Sequence, residues 1–146
     1  MIGGLNDLKV YRLAVRLEIF VYKVVDKQFP KEEQYRSSDQ LKRSSASVVN
    51  NIAESYGKYS YGAKINHLFI ARAESYGKYS YGAKINHLFI ARGEIEETRS
   101  GFQRAEIKGF ISGEMSVFIF DKYTELLKML NTYIKFLKNK TKSLIN

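Results

Sequence analysis

Apolar residues recur at intervals of three and four along almost the whole chain, and no stretch competes with an alternating strand pattern. Leu8, Tyr11, Val15, Ile19, Tyr22, Val25 and Phe29 predict a first helix over Leu5–Phe29, stopped at Pro30, the single proline. Ser37 stands three residues before Gln40, the spacing of a capping box, and Leu41, Ser45, Val48, Ile52 and Tyr56 follow as the inward stripe of a second helix. Leu88, Ile95, Phe102 and Ala105 mark a third, ending near Lys108-Gly109 or Ile111. Ser112 is placed to cap a fourth, whose stripe is Ile119, Tyr123, Leu126, Leu130, Ile134 and Leu137. Four helices, each apolar on one face, bury those faces together most simply as a bundle. The expectation is an all-α, single-domain, up-down-up-down antiparallel four-helix bundle spanning residues 1–146.

The 146 residues are enough for one core, and 45% of them are hydrophobic, which fits a folded chain. There is no cysteine, which removes disulfides, thiolate zinc sites and thiol nucleophiles and fits a reducing, cytoplasmic setting. The start of the chain lacks the apolar core of a signal peptide, and no apolar run is long enough to span a bilayer. The net charge of +9 points to polyanionic partners, RNA or DNA, although a basic surface also serves solubility alone.

Phe29-Pro30-Lys31-Glu32-Glu33, Gln40-Leu41 with Arg43, Asn51-Ile52-Ala53-Glu54, and Ile90-Ala91-Arg92-Gly93 with Glu97 form a set of motifs along the chain. In these segments the chain resembles the four-helix-bundle proteins encoded in intervening sequences of bacterial 23S ribosomal RNA genes. The chain departs from the pattern at Ser55, where the family has glycine, and at Glu94, where it has a small residue. The resemblance implies a bundle that self-associates, often as a pentameric ring. A related protein, the accessory subunit of diversity-generating retroelements, is a basic ring that works with a reverse transcriptase and nucleic acid.

One feature lies outside that pattern. The run AESYGKYSYGAKINHLFIAR fills Ala53–Arg72 and returns unchanged at Ala73–Arg92. One copy carries three basic residues and one acidic, so the chain without it still has a net charge of +7. By the family pattern the unit holds the end of helix two, the loop GKYSYG and the start of helix three. An added antiparallel helix would reverse every later helix. One expectation is therefore that Gly57–Gly62 or Gly77–Gly82 becomes helical and one helix grows by twenty residues, roughly 30 Å. The alternative is a short extra helix over Ala63–Tyr76, or one copy left as an excursion. In either case Ile65, Leu68, Phe69 and Tyr76 keep helical spacing and would seek a partner, such as a second copy of the chain in a domain swap.

Two cationic stripes carry the functional reading. Lys9, Arg12, Arg16, Lys23 and Lys27 follow helical spacing on the first helix, and Lys128, Lys135, Lys138 and Lys142 do so on the last. They read as phosphate contacts, or as solvated faces with cations favoured at a helix C-terminus. Lys58 with Tyr56, Tyr59 and Tyr61 could stack bases, or the tyrosines could half-bury at the bundle end. Asn50, Asn51 and Glu54 read as structural hydrogen-bonding groups. No Glu-x-x-His accompanies His67 and His87, Glu94, Glu96 and Glu97 form an acidic cluster without histidine, and Gly57-Lys58 lacks the rest of a phosphate loop. The expectation is a non-enzymatic homo-oligomer, ring or domain-swapped, with no cofactor, metal or membrane association. It binds RNA, DNA or a nucleoprotein, or is a protein-interaction module without nucleic-acid affinity.

Overall fold

The computed structural model describes residues 4–68 and 73–145, with side chains for 4–56, 82–140 and 142. Its four helices are α1 (Lys9–Gln28), α2 (Ser37–Leu68), α3 (Ala73–Ile107) and α4 (Gly113–Ile145), and no strand occurs among the described residues. The chain is an all-α four-helix bundle.

Local chemistry sets most helix ends. Leu8 is extended (φ −78°, ψ 114°) and separates a 3-10 turn at Leu5–Asp7 from α1, so the first helix begins later than Leu5. Phe29 is extended (ψ 142°), as the residue before a proline prefers, and α1 ends there. At the end of α3 the Gly109 N–H donates to Glu106 O and the Phe110 N–H to Ala105 O, both at 2.9 Å. Gly109 takes φ +82°, which only glycine adopts cheaply, and completes a Schellman cap. Ser112 Oγ accepts the Met115 N–H at 3.1 Å and caps α4 as expected. The capping box at α2 is not formed: Ser37 is already inside the helix and its Oγ is buried without a partner.

The α4 stripe is buried throughout, as are Leu41, Ser45, Val48 and Ile52 of α2. The expected α1 stripe holds at Val25 and Phe29, which are buried, and in part at Leu8, Tyr11 and Val15, which are half-buried against the core. It is corrected at Ile19 and Tyr22, 50% and 37% exposed, because the centre of the buried face is Val10, Leu13, Ala14, Leu17, Val21 and Val24. Helix α1 carries two adjacent apolar lines, and the one centred on Leu13, Leu17 and Val21 faces the core while the other flanks it.

The helix directions follow from paired side chains. Ser44 meets Thr98 (Oγ to Oγ1, 2.7 Å) and Asn51 meets His87 (Oδ1 to Nδ1, 3.0 Å), so α2 and α3 run antiparallel. Arg99 lies over Phe120 while Arg92 bonds Asn131, which makes α3 and α4 antiparallel as well. Phe20 packs on Phe118, and Leu8 and Val10 line a groove with Met129 and Phe136, so α1 opposes α4. The Leu41 side chain of α2 packs close against α3 at Gly101, where an added Cβ would stand 2.6 Å from Leu41 Cδ2.

This register explains what the repeat does. The midpoint of the Ser44–Thr98 pair is position 71, and that of Asn51–His87 is position 69. An antiparallel pair of regular helices reverses at its midpoint, and the interval between α2 and α3 lies there. Both copies of GKYSYG therefore fall within helices, Gly57–Gly62 in α2 and Gly77–Gly82 in α3. Each helix takes about half of the extra twenty residues, roughly 15 Å. This corrects the expectation that a single helix grows by twenty and the alternative of a short helix over Ala63–Tyr76. The side chains of Ile65, Leu68 and Tyr76, and Phe69 altogether, lie outside the described residues. The first copy supplies the buried Ser55 to α2, and the second supplies Ile85, Leu88 and Ala91 to the core of α3.

Because the copies are identical, deleting either gives the same 126-residue sequence. The register midpoint then moves back by ten, into GKYSYG itself. The shortened chain is expected to keep a cooperative thermal transition, with roughly twenty fewer helical residues by circular dichroism. Loss of cooperative melting would contradict this register.

Candidate nucleic-acid interface

Lys9, Arg12, Arg16 and Lys23 each precede a core residue of α1, Val10, Leu13, Leu17 and Val24, by one position. One residue is about 100° of helix, so burying the core line leaves these cations on its flank. Together with Lys27 they are all exposed, as are Lys128, Lys135, Lys138 and Lys142 on α4. The two stripes meet where Lys9 and Lys128 both line an open groove of about 610 Å³ between the start of α1 and the second half of α4. The groove floor is apolar, with Leu8, Val10, Met129 and Phe136.

On its other side the α4 stripe continues onto α3. Lys138 Nζ stands 5.3 Å from the centre of the Phe89 ring, and the Arg92 guanidinium 4.8 Å from the same ring. Arg92 Nη1 also donates to Asn131 Oδ1 at 3.2 Å. Arg92 is thus part of the cationic face, which sequence spacing could not reveal because the join is made between helices.

The ion pairs among the described residues are Asp26–Lys42, Asp39–Arg43, Glu96–Arg99 and Glu125–Lys122. None involves the nine stripe cations, although Asp7 lines the same groove as Lys9 and Lys128. Glu114, Asp121 and Glu125 belong to the first half of α4, so its positive charge is concentrated toward the C-terminal half.

At the end of the bundle next to the duplicated segment, Lys84 is only 5% exposed. Its Nζ lies 5.5 Å from the Tyr56 ring centre and 5.4 Å from that of Tyr133, a cation held between two aromatic faces. Tyr56 is accordingly half-buried at the bundle end, while the side chains of Lys58, Tyr59 and Tyr61 lie outside the described residues. Burial holds the Lys84 amine down to about 8 from an ordinary 10.5. Between these values the unfolded chain binds more protons than the folded one, so this group makes stability rise with pH from about 8 to 10.5. Urea denaturation across that range should show the rise, and Lys84→Met should remove it. An unchanged slope in the variant would contradict the assignment.

The other polar clusters are structural in their geometry. Asn51 Nδ2 donates to Ser47 O at 2.9 Å and to Ser47 Oγ at 3.1 Å while its Oδ1 meets His87, whereas Asn50 and Glu54 are exposed and form no pocket with it. Ser55 is fully buried and donates to Ile52 O at 2.8 Å, so the hydroxyl is satisfied within its own helix. Glu94 is raised by partial burial, then by the charge of Glu97 and a hydrogen bond to it. The side chain of His67 lies outside the described residues. Among the described residues no three His, Cys, Asp or Glu side chains gather as a metal site, and no helix is long and apolar enough to cross a membrane.

Fold and surface together define a helical bundle with a cationic face. Residues 6–76 match the family model of the 23S rRNA-intervening sequence protein. Among solved structures, the chain is similar to a protein of unknown function from the S23 ribosomal protein family of Bacteroides thetaiotaomicron. The two share 21% identity with a TM-score of 0.66, over 86% of this chain and 98% of that one, a likeness of fold. No curated protein matches.

Proposed function

We propose that this protein is a non-enzymatic, cytoplasmic, homo-oligomeric bundle that binds RNA or DNA through the joined cationic faces of α1 and α4. The observation that carries the reading is the meeting of the two stripes at Lys9 and Lys128, with all nine cations exposed and outside the described ion pairs. Lys9, Arg12, Arg16, Lys23 and Lys27 neutralise successive phosphates, and Lys128, Lys135, Lys138 and Lys142 extend the track. Contacts of this kind are independent of sequence and release counterions, so binding weakens steeply with salt. Assembly would repeat the face around a symmetry axis, as the family resemblance implies, and raise avidity without any new contact. The experiment is gel-shift or anisotropy binding of RNA and duplex DNA across a salt series, beside the solution mass from ultracentrifugation.

A second reading is favoured by Phe118 and Phe136 of α4 and Ile19 of α1, which are large, apolar and about half exposed. They make the same face a protein-docking surface, with the lysines serving solubility. This reading expects a stable assembly and salt-insensitive binding of a protein partner, with no affinity for nucleic acid.

A further inference from the structure

The opposite end of the bundle carries a second cationic feature, built by the α1–α2 connection and the end of α3. A polar groove of about 570 Å³ lies there, lined by Tyr35, Arg36 and Arg43 on one side and Lys108 on the other. Tyr35 is 86% exposed, although a tyrosine ordinarily buries much of its ring. It does not sit on a loose strand. Gln34 N–H donates to Lys31 O, Arg36 N–H to Glu33 O and Gln40 N–H to Arg36 O, at 2.9–3.1 Å, so hydrogen-bonded turns hold the backbone on both sides of it. Two carboxylates share the groove, Glu33 and Asp39. Asp39 is taken by Arg43 at 3.0 Å, while Arg36 and Lys108 have no carboxylate partner among the described residues.

We infer that this groove binds an unpaired nucleotide of a single-stranded nucleic acid, with the base on the Tyr35 ring and the flanking phosphates on Arg36 and Lys108. An exposed aromatic face between cations is the arrangement that holds single strands, because every base offers a π-face and every linkage a phosphate. A duplex keeps its bases stacked inside and gains only the charge. The groove volume is in the range of small-ligand sites and suits one nucleotide. The site lies about one α1 length from Lys9, roughly 30 Å, and so adds strand selectivity to the charge-based binding proposed for the α1/α4 face.

Anisotropy titrations of a short fluorescein-labelled oligothymidylate and of a duplex of matched length provide the test. Tyr35→Ala should weaken the single strand about tenfold and leave the duplex unchanged. Tyr35→Trp should bind the single strand at least as well as the parent. Arg36→Gln with Lys108→Gln should lower the salt dependence for the single strand. The inference is overturned if Tyr35→Ala binds the oligothymidylate as the parent does, or if the tryptophan variant is as weak as the alanine one. A chain with the α1 stripe neutralised separates the two sites. If it loses binding while Tyr35→Ala does not, the groove fails and the α1/α4 reading stands, and the reverse result leaves the groove alone.

Discussion

Phe102→Ala is expected to destabilise the bundle by about 3–5 kcal/mol, a large part of the 5–15 kcal/mol typical of a domain. Phe102 is among the largest fully buried side chains, with its ring edge-on to Phe29 at 6.1 Å between centroids. Its neighbourhood cannot close around a cavity. Gly101 already sets α3 against Leu41, and the buried Ser44–Thr98 hydrogen bond fixes α2 and α3 next to it. A void there keeps its volume, so the cost falls in the upper part of the range. On α1, Leu17→Ala and Ile19→Ala each remove three carbons, yet Leu17 is buried and Ile19 half exposed, so the first should cost about 2–5 kcal/mol and the second stay within about 1 kcal/mol. Urea denaturation of these variants reads the difference directly. Equal losses at Leu17 and Ile19 would contradict the core face of α1.

Neutralising Lys9, Arg12, Arg16, Lys23 and Lys27 together to glutamine should lower nucleic-acid affinity roughly a thousandfold at physiological salt. Each phosphate contact contributes about 0.9 to the logarithmic salt slope on duplex DNA, so removing five should flatten it by about 4.5. The five side chains are exposed and none is in a described ion pair, so the melting temperature should barely move. This separates the variant from an unfolded one. A change of less than about threefold in affinity would assign the stripe to solubility and leave the protein-docking reading of Ile19, Phe118 and Phe136.

Much of the fold was legible because α4 and the first part of α2 each carry an apolar line at helical spacing that the core buries. Ile119, Tyr123, Leu126, Leu130, Ile134 and Leu137 are all buried where their spacing put them. Helix α1 offered two lines, and spacing alone cannot choose between them. Packing between helices makes the choice, burying Val10, Leu13, Leu17, Val21 and Val24 and leaving Ile19 and Tyr22 exposed. The repeat was misjudged for a related reason. Two glycines in each GKYSYG read as loop signals, at about 1 kcal/mol apiece in a helix. The pair Asn51–His87 instead requires reversal midway between its partners, and long-range register outweighs a local penalty of that size.

The candidate site was legible only by halves. Each cationic stripe is a one-helix pattern and could be read from spacing. Their union at Lys9 and Lys128, the addition of Arg92 through Phe89, and the burial of Lys84 between Tyr56 and Tyr133 are contacts between helices that no local period encodes. Tyr35 carried no sequence signal at all, since a lone tyrosine after a turn is equally a core residue or a surface one.

The most direct measurement of the central claim is the affinity of the full chain for duplex DNA or RNA as salt is raised from low to physiological levels. The account predicts clear binding at low salt and a logarithmic slope of several units, the mark of many phosphates neutralised at once. Negligible binding at low salt, or affinity that stays flat across the series, would contradict it.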